Sequence, residues 1–323
     1  MKTSFSKDVL TLDAPREADR IAAAIREQIG QQLKRKGAVV GLSGGIDSSV
    51  AAALCVRALG ADRVLGLLMP EADSSPESLR LGRELAQSLG ITAILEDVSP
   101  LLKAARCYQR RDVAIRSLIP GYTEDYKCKL VLPSITEESA YAVSSVVVQS
   151  PAGVQTKARV TAQAYREIIA AMNFKQRVRI MMEYHHADRL QYAVIGTPNR
   201  LEYDLGFFVK NGDGAADLKP IAHLYKTQVY QLAAYFNILQ EIQSRPPTTD
   251  TYSLEQSQEE FYFSLPLAQM DLCLYGKDHH VPPAELAAAL GLTEGQVTQV
   301  YQQIDSKRKV SGYLHAPPLL IQP

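Results

Sequence analysis

Apolar residues recur along the chain in two alternating rhythms. Over residues 14–37, "APREADRIAAAIREQIGQQLKRKG", Ile21, Ile25, Ile29 and Leu33 stand four apart, which predicts an amphipathic helix ended by Gly37. "AVVGL", residues 38–42, is a continuous apolar run and predicts a buried strand. A Gly/Ser-rich turn, "SGGIDSS" at 43–49, feeds an Ala-rich helix running to about Leu59. "RVLGLLMP" then predicts a second strand. "SPESLRLGRELAQSLG" predicts a helix capped by Ser75 and stopped by Gly90, and "ITAILEDV" a third strand. Strands alternating with helices in this way predict the α/β class, a doubly wound parallel sheet with helices on both faces. Ligands of such sheets sit at the carboxyl ends of the strands, where residues 42–49 lie.

Residues 104–160 break the rhythm. "YAVSSVVVQ" and "VQTKARVTA" flank a Pro/Gly turn at 150–153, which predicts a β-hairpin, with "KCKLVLP" as a further strand and "RCYQRRDVAIRSL" as a short basic stretch ahead of it. The segment reads as an insertion within one domain spanning 1–323. The alternation resumes with a helix over 163–190, a strand "QYAVIG" and a helix "KTQVYQLAAYFN". The tail carries an acidic stretch "SLEQSQEE", a helix "PPAELAAALG" and a closing "SKRKVSGYLHAPP".

Composition narrows the classes. The 323 residues carry 35 basic and 35 acidic side chains, so no overall positive field favours nucleic acid. Cys55, Cys107, Cys128 and Cys273 form no C-x-x-C pair, which argues against a zinc knuckle or redox dithiol and for reduced thiols. The N-terminus lacks a signal-like apolar core and no stretch approaches a membrane span, so a cytoplasmic protein without membrane contact is expected. Adjacent His185 and His186 diverge around a helix and do not make a metal pair.

A strand, a glycine turn and a helix N-terminus together present free N–H groups and a positive dipole end, which suits phosphate. Neither common phosphate motif is present: no Lys follows the second glycine, and the glycines do not spell G-x-G-x-x-G. Ser43, Ser48 and Ser49 add hydroxyls around Gly44 and Gly45. A carboxylate aimed at bare phosphate repels it, so Asp47 is better used on a shared Mg²⁺, the plainer reading being a helix cap.

"SGGIDSS" resembles the pyrophosphate loop of the N-type ATP pyrophosphatases, which cut ATP between its α- and β-phosphates to adenylylate a substrate. Residues 194–233, "VIGTPNRLEYDLGFFVKNGDGAADLKPIAHLYKTQVYQLA", resemble the most distinctive block of the NAD synthetases within that superfamily. "NFKQRVRIMM" is similar to that family's Asn-x-x-x-Arg-x-Arg-x-Met signature, "PPTTD" to its Pro-Pro-Thr-x-Asp loop and "SKRKVSGYLHAPP" to its closing Lys-Arg element. The resemblance implies ATP-dependent amidation of deamido-NAD to NAD with ammonia through an adenylylated carboxylate, releasing AMP and pyrophosphate. A paralogue amidating another carboxylate is the alternative.

The resemblance also implies roles. Ser43, Gly44, Gly45, Asp47 and Ser48 would hold the ATP phosphates, and Asp47 and Glu202 would bind Mg²⁺. Thr197, Arg179, Lys226 and Thr248 would contact ATP. Asn173, Arg177, Lys210, Asp213 and Asp217 would orient deamido-NAD, with Lys210 and Asp213 nearest the nicotinate carboxylate and Lys307 acting from the C-terminal segment. Two polyanionic substrates call for converging cations, for which Lys210, Lys219, Lys226, Arg177, Arg179 and Lys307 are candidates. Three departures stand out: Ser306 replaces the usual His, Gln258 replaces the usual Asp of the acidic loop, and the insertion is larger than usual. No glutaminase domain fits the chain, so free ammonia is the donor or a separate glutaminase delivers it. The family resemblance implies a homodimer.

Overall fold

The computed structural model describes residues 5–131, 144–248, 251–258, 262–263 and 265–321. Helix α1 (Ala14–Glu27) opens on Asp13, whose side chain accepts from the Arg16 N–H, and buries Ile21 and Ile25. It runs on through one π turn, Gln28–Gln32. Leu33, the residue that ends this turn, is 36% exposed while Ile29 is buried.

The predicted strands β1 (Ala38–Gly41), β2 (Val64–Leu68) and β3 (Thr92–Leu95) are present. Strands β4 (Lys127–Val131), β5 (Ser145–Gln149) and β6 (Gln155–Arg159) form a separate sheet. Strand β7 (Ala193–Ile195) returns to the first, whose order is β3-β2-β1-β7, all parallel, with Ala38 opposite both Val64 and Ala193. Helices α2 (Ile46–Leu59), α3 (Pro76–Leu89) and α8 (Lys226–Tyr235) join α1 on one face, in a core that includes Ile21, Leu54 and Leu232. Helix α6 (Ala162–Leu190) covers the other, where Ile180 and Ala187 meet Val39, Leu67 and Val194. The α/β sheet with helices on both faces is therefore as expected. The chain leaves β1 toward β2 on one side and re-enters at β7 on the other, so the switch point lies between β1 and β7.

The turn after β1 depends on one glycine. Gly44 has φ +72, and a Cβ there would stand 2.5 Å from the Ser78 carbonyl oxygen. Gly45, at the N-cap of α2, has φ −99, and its nearest neighbour would be the Ser43 hydroxyl at 3.3 Å.

The insertion contains the predicted hairpin, β5 and β6 about Pro151 and Gly153, with β4 as its third strand. Residues 132–143 of it lie outside the described residues. The basic stretch ahead of it is a helix, α5 (Cys107–Arg116), preceded by α4 (Ser99–Ala104). The outer edge of β4 is occupied by a distant part of the chain. Cys128 N–H donates to the Ser253 hydroxyl at 2.9 Å, Leu254 N–H to the Cys128 carbonyl at 3.1 Å, and the Gln256 side-chain amide to the Leu130 carbonyl. Tyr252 packs among Cys128, Leu130, Val148 and Met172.

Beneath this dock lies a buried ionic network. Lys175 on α6 is fully buried; its ammonium donates to Glu71 at 2.9 Å, Asp73 at 2.5 Å and the Thr251 carbonyl at 2.8 Å. Arg111 on α5 pairs with Asp73 and, at 2.9 Å, with Asp112. One lysine thus joins the loop after β2 to the segment docked on β4.

The C-terminal part packs as α10 (Leu267–Asp278), α11 (Pro283–Leu290) and α12 (Glu294–His315), with the short α7 (Arg200–Leu205) and α9 (Gln240–Ser244) nearer the sheet. The closing segment from Ser306 to His315 is the second half of α12. Gly312 and Ser311 give no helical signal, but Ser311 is buried with its hydroxyl on the Asp204 carbonyl at 3.2 Å.

Two stability outcomes follow from this packing. Lys175→Met leaves the buried Glu71 carboxylate without its cation, while Asp73 keeps Arg111, and is expected to lose about 3–5 kcal/mol in a denaturant titration. Gly44→Ala meets both a left-handed backbone and a carbonyl, and is expected to lose about 1–3 kcal/mol where Gly45→Ala loses markedly less. Equal midpoints for the two glycine variants would contradict this account of the turn.

Candidate active site

A cleft of about 620 Å³ opens at the carboxyl ends of β1, β2 and β7. Its walls include Ser43, Gly45, Asp47, Ser48, Arg179, Thr197, Glu202, Lys226 and Thr248 of the predicted ATP set, with Asn173 and Asp213 of the dinucleotide set. The parallel sheet explains the convergence: each loop at that end begins where its strand stops, a few ångströms from its neighbour's.

At the centre, three segments meet on one carboxylate. Asp47, in the first turn of α2, forms an ion pair with Lys226, the first residue of α8, and accepts from the Asn199 side-chain amide at 3.0 Å. Asn199 caps α7 reciprocally with Glu202. Its side chain accepts from the Glu202 N–H at 3.2 Å, and its own N–H donates to the Glu202 carboxylate at 3.1 Å. The other Glu202 oxygen accepts from the Gln258 side-chain amide at 3.0 Å. Lys226 is buried, and its helix start is fixed by Asp271, whose carboxylate accepts from Lys226 N–H at 3.2 Å and Thr227 N–H at 2.7 Å. Burial first, then the Asp47 charge, push the Glu202 carboxyl up to about 8.

Asp47 and Glu202 supply hard oxygen donors, and the side-chain oxygen of Gln258, buried beside Glu202, has no hydrogen-bond partner among the described residues. This donor set suits Mg²⁺. The sequence motif gives no warning of Asn199, although the N-x-x-E capping signature at 199–202 contains it.

The turn is partly self-satisfied. The Ser48 hydroxyl donates to the Gly45 carbonyl at 3.0 Å and accepts from the Ser43 N–H at 3.3 Å. The Ser49 hydroxyl is turned inward onto the same carbonyl at 2.8 Å. Gly44 does not line the cleft; it is packed against α3 and shapes the turn from behind. Arg179 donates to the Met69 carbonyl and the Ser74 hydroxyl, both at 3.2 Å, and faces the cleft.

Several expected residues lie elsewhere. Lys210 reaches the end of α12, donating to the Tyr313 carbonyl at 2.8 Å and the Ala316 carbonyl at 2.9 Å. Arg177 donates to the Lys210 carbonyl at 3.2 Å. Asp217 accepts from the Val194 N–H at 2.8 Å and pins β7 to the following loop. Lys307 sits over the Tyr262 ring at 3.7 Å, donates to the Tyr262 carbonyl, and is lowered to about 8 by burial. Lys219 donates to the Gly214 carbonyl at 2.7 Å. None of the five lines the cleft, so the expected convergence of six cations reduces to Arg179 and Lys226, joined by Arg245, which the sequence analysis missed. Asp213 does line it, accepting from the Val209 N–H at 2.8 Å, with burial pushing its carboxyl up to about 6. Asp250, Glu259 and Glu260 of the recognised loops lie outside the described residues.

His185 and His186 are not a metal pair. His186 contacts Glu96 at 2.7 Å through one nitrogen and Arg189 at 2.9 Å through the other. No metal-ligating cluster of three or more His, Cys, Asp or Glu occurs among the described residues, and no described helix is long and apolar enough to cross a membrane.

The family model described as NAD synthase matches residues 17–117 and 135–311, leaving out a stretch that contains β4. A protein of Mesorhizobium japonicum named NH(3)-dependent NAD(+) synthetase is 57% identical over 312 residues, covering 97% of this chain and 98% of its own. Its namesake from Rhizobium meliloti is 57% identical over 319 residues, covering 99% and 95%. A solved NH3-dependent NAD synthetase from Campylobacter jejuni shares the fold, with a TM-score of 0.62 at 20% identity over 96% of this chain and all of its own. With the ATP-type turn, the capped Glu202 and the buried lysine already assembled in one cleft, these matches place the chain in the NAD synthase family.

Proposed function

We propose that the chain makes NAD from deamido-NAD, ATP and ammonia, releasing AMP and pyrophosphate. The observation that carries this reading is the meeting of Asp47, Lys226 and Asn199 with Glu202 at the strand ends. It unites the pyrophosphate-type turn with the block that most resembles the NAD synthetases. Full-length identity to relatives named for this activity supports it.

In this reading the N–H groups at the α2 N-terminus face the β- and γ-phosphates. Arg179, Lys226 and Arg245 flank the α-phosphate and neutralise charge that moves to the leaving pyrophosphate. Asp47 and Glu202, assisted by Gln258, would hold Mg²⁺, which would shield the phosphates' charge. Asn173 and Asp213 orient the dinucleotide so that its carboxylate lies in line with the phosphorus. Lys210, Arg177, Asp217 and Lys307 act on this site indirectly, by fixing α12 and the loops behind it. A homodimer in the cytoplasm belongs to the same reading.

The test is an assay with deamido-NAD, ATP, Mg²⁺ and ammonium in which NAD, AMP and pyrophosphate are quantified. Equal amounts of all three are expected; AMP without NAD would indicate another carboxylate acceptor. Asp47→Asn is expected to keep the fold by circular dichroism and to weaken Mg²⁺-dependent ATP use at least about ten-fold. Wild-type turnover in that variant would remove Asp47 from the site.

A further inference from the structure

Glu183 on α6 is a carboxyl without a hydrogen-bonded partner among the described residues. It lines the cleft and is only 9% exposed, yet it forms no hydrogen bond or ion pair with any described residue. Room has been made for it. A Cβ at Gly41, the last residue of β1, would stand 2.8 Å from the Glu183 Oε1 and 3.3 Å from the Met69 methyl. A glycine at that strand end therefore lets the carboxyl reach the cleft floor.

An apolar side chain of the same size would fill this position without the desolvation cost of an unpaired acid. The surroundings add to that cost. Burial first, then the nearby Asp213 charge, push the Glu183 carboxyl up to about 8, and Arg179 opposes them. What the position lacks is a small cation with N–H donors. Ammonia is carried in neutral water chiefly as ammonium, which has four such donors and no lone pair until it loses a proton.

We infer that Glu183, backed by Asp213, binds ammonium at the cleft floor and accepts its first proton. This rests on the amidation reading and deepens it by assigning the nitrogen donor a site. The proton passes to the Glu183 carboxylate and leaves ammonia with a lone pair. The nitrogen forms a C–N bond to the acyl carbon of the adenylylated substrate. The C–O bond to AMP breaks with its electron pair on the phosphate oxygen, the second nitrogen proton passes to water, and Glu183 returns its own proton to water. Nothing in the adenylylation half of the reaction requires Glu183, because Arg179, Lys226 and Arg245 serve the phosphates.

Three measurements on Glu183→Gln, Glu183→Leu and Glu183→Asp test this at one pH: deamido-NAD-dependent exchange of pyrophosphate into ATP without ammonium, kcat/KM for ammonium, and turnover with hydroxylamine, which is uncharged at neutral pH. The Gln and Leu variants are expected to keep the exchange and the KM for ATP. They are expected to lose about 10²-fold or more in kcat/KM for ammonium and to use hydroxylamine as the wild type does, with partial recovery in the Asp variant. Unchanged ammonium kinetics, equal losses with both nucleophiles, or loss of the exchange in the folded variants would each overturn the assignment. A wild-type protein without the exchange would overturn the parent reading instead, and the ammonium site with it.

Discussion

The ion pair between Asp47 and Lys226 is the point on which the cleft depends. Its members arrive from opposite sides of the switch point, one from the turn after β1 and one from the start of α8, and Asn199 brings in the loop after β7. Lys226 is all but inaccessible to water, so it cannot give up its partner without leaving a bare charge inside the protein. Asp271 meets the backbone at the same helix start and holds the lysine's origin. Three segments therefore share one electrostatic anchor, already in place when the substrates arrive.

A second constraint acts from the other side. Thr248 and Gln258 bracket a segment that runs along β4, and Lys175 grips its Thr251 carbonyl from below. The cleft wall formed by this segment is consequently supported by the inserted sheet on one flank and by buried ions on the other. The insertion is thereby part of the frame around the cleft, in contrast to the surface decoration that its position between two elements of the main sheet would imply.

The α/β frame was legible in the sequence because each element carries its own local signal. Ser75 and Gly90 cap α3 as their residue types predict, and the strands around Val40 and Leu67 are apolar on both faces because both are covered. Asp47, Glu202 and Lys226 were legible because their motifs are local strings at strand ends. Lys210, Arg177 and Lys307 stand outside the cleft for the converse reason. Each lies in a matching string, but the direction of a long flexible side chain is set by what packs against it, here the end of α12 and the Tyr262 ring. Lys175 and Glu183 left no trace, since a charged residue inside a helical pattern reads as solvated until the neighbouring loops are in position. Helix α10 was missed because its residues are buried on most sides and give no amphipathic period.

The covered rim of β4 has a consequence beyond the cleft. A three-stranded antiparallel sheet ordinarily offers two bare rows of amides and carbonyls to any passing extended chain. Here one row is already occupied by the protein's own Ser253, Leu254 and Gln256, and the opposite strand, β6, presents exposed Gln155, Lys157 and Arg159. One edge of the module is thus covered and the other carries charge, which disfavours templated growth. Loosening the wall of the cleft would bare this β-edge, so the cleft wall and the covered edge rest on the same few hydrogen bonds.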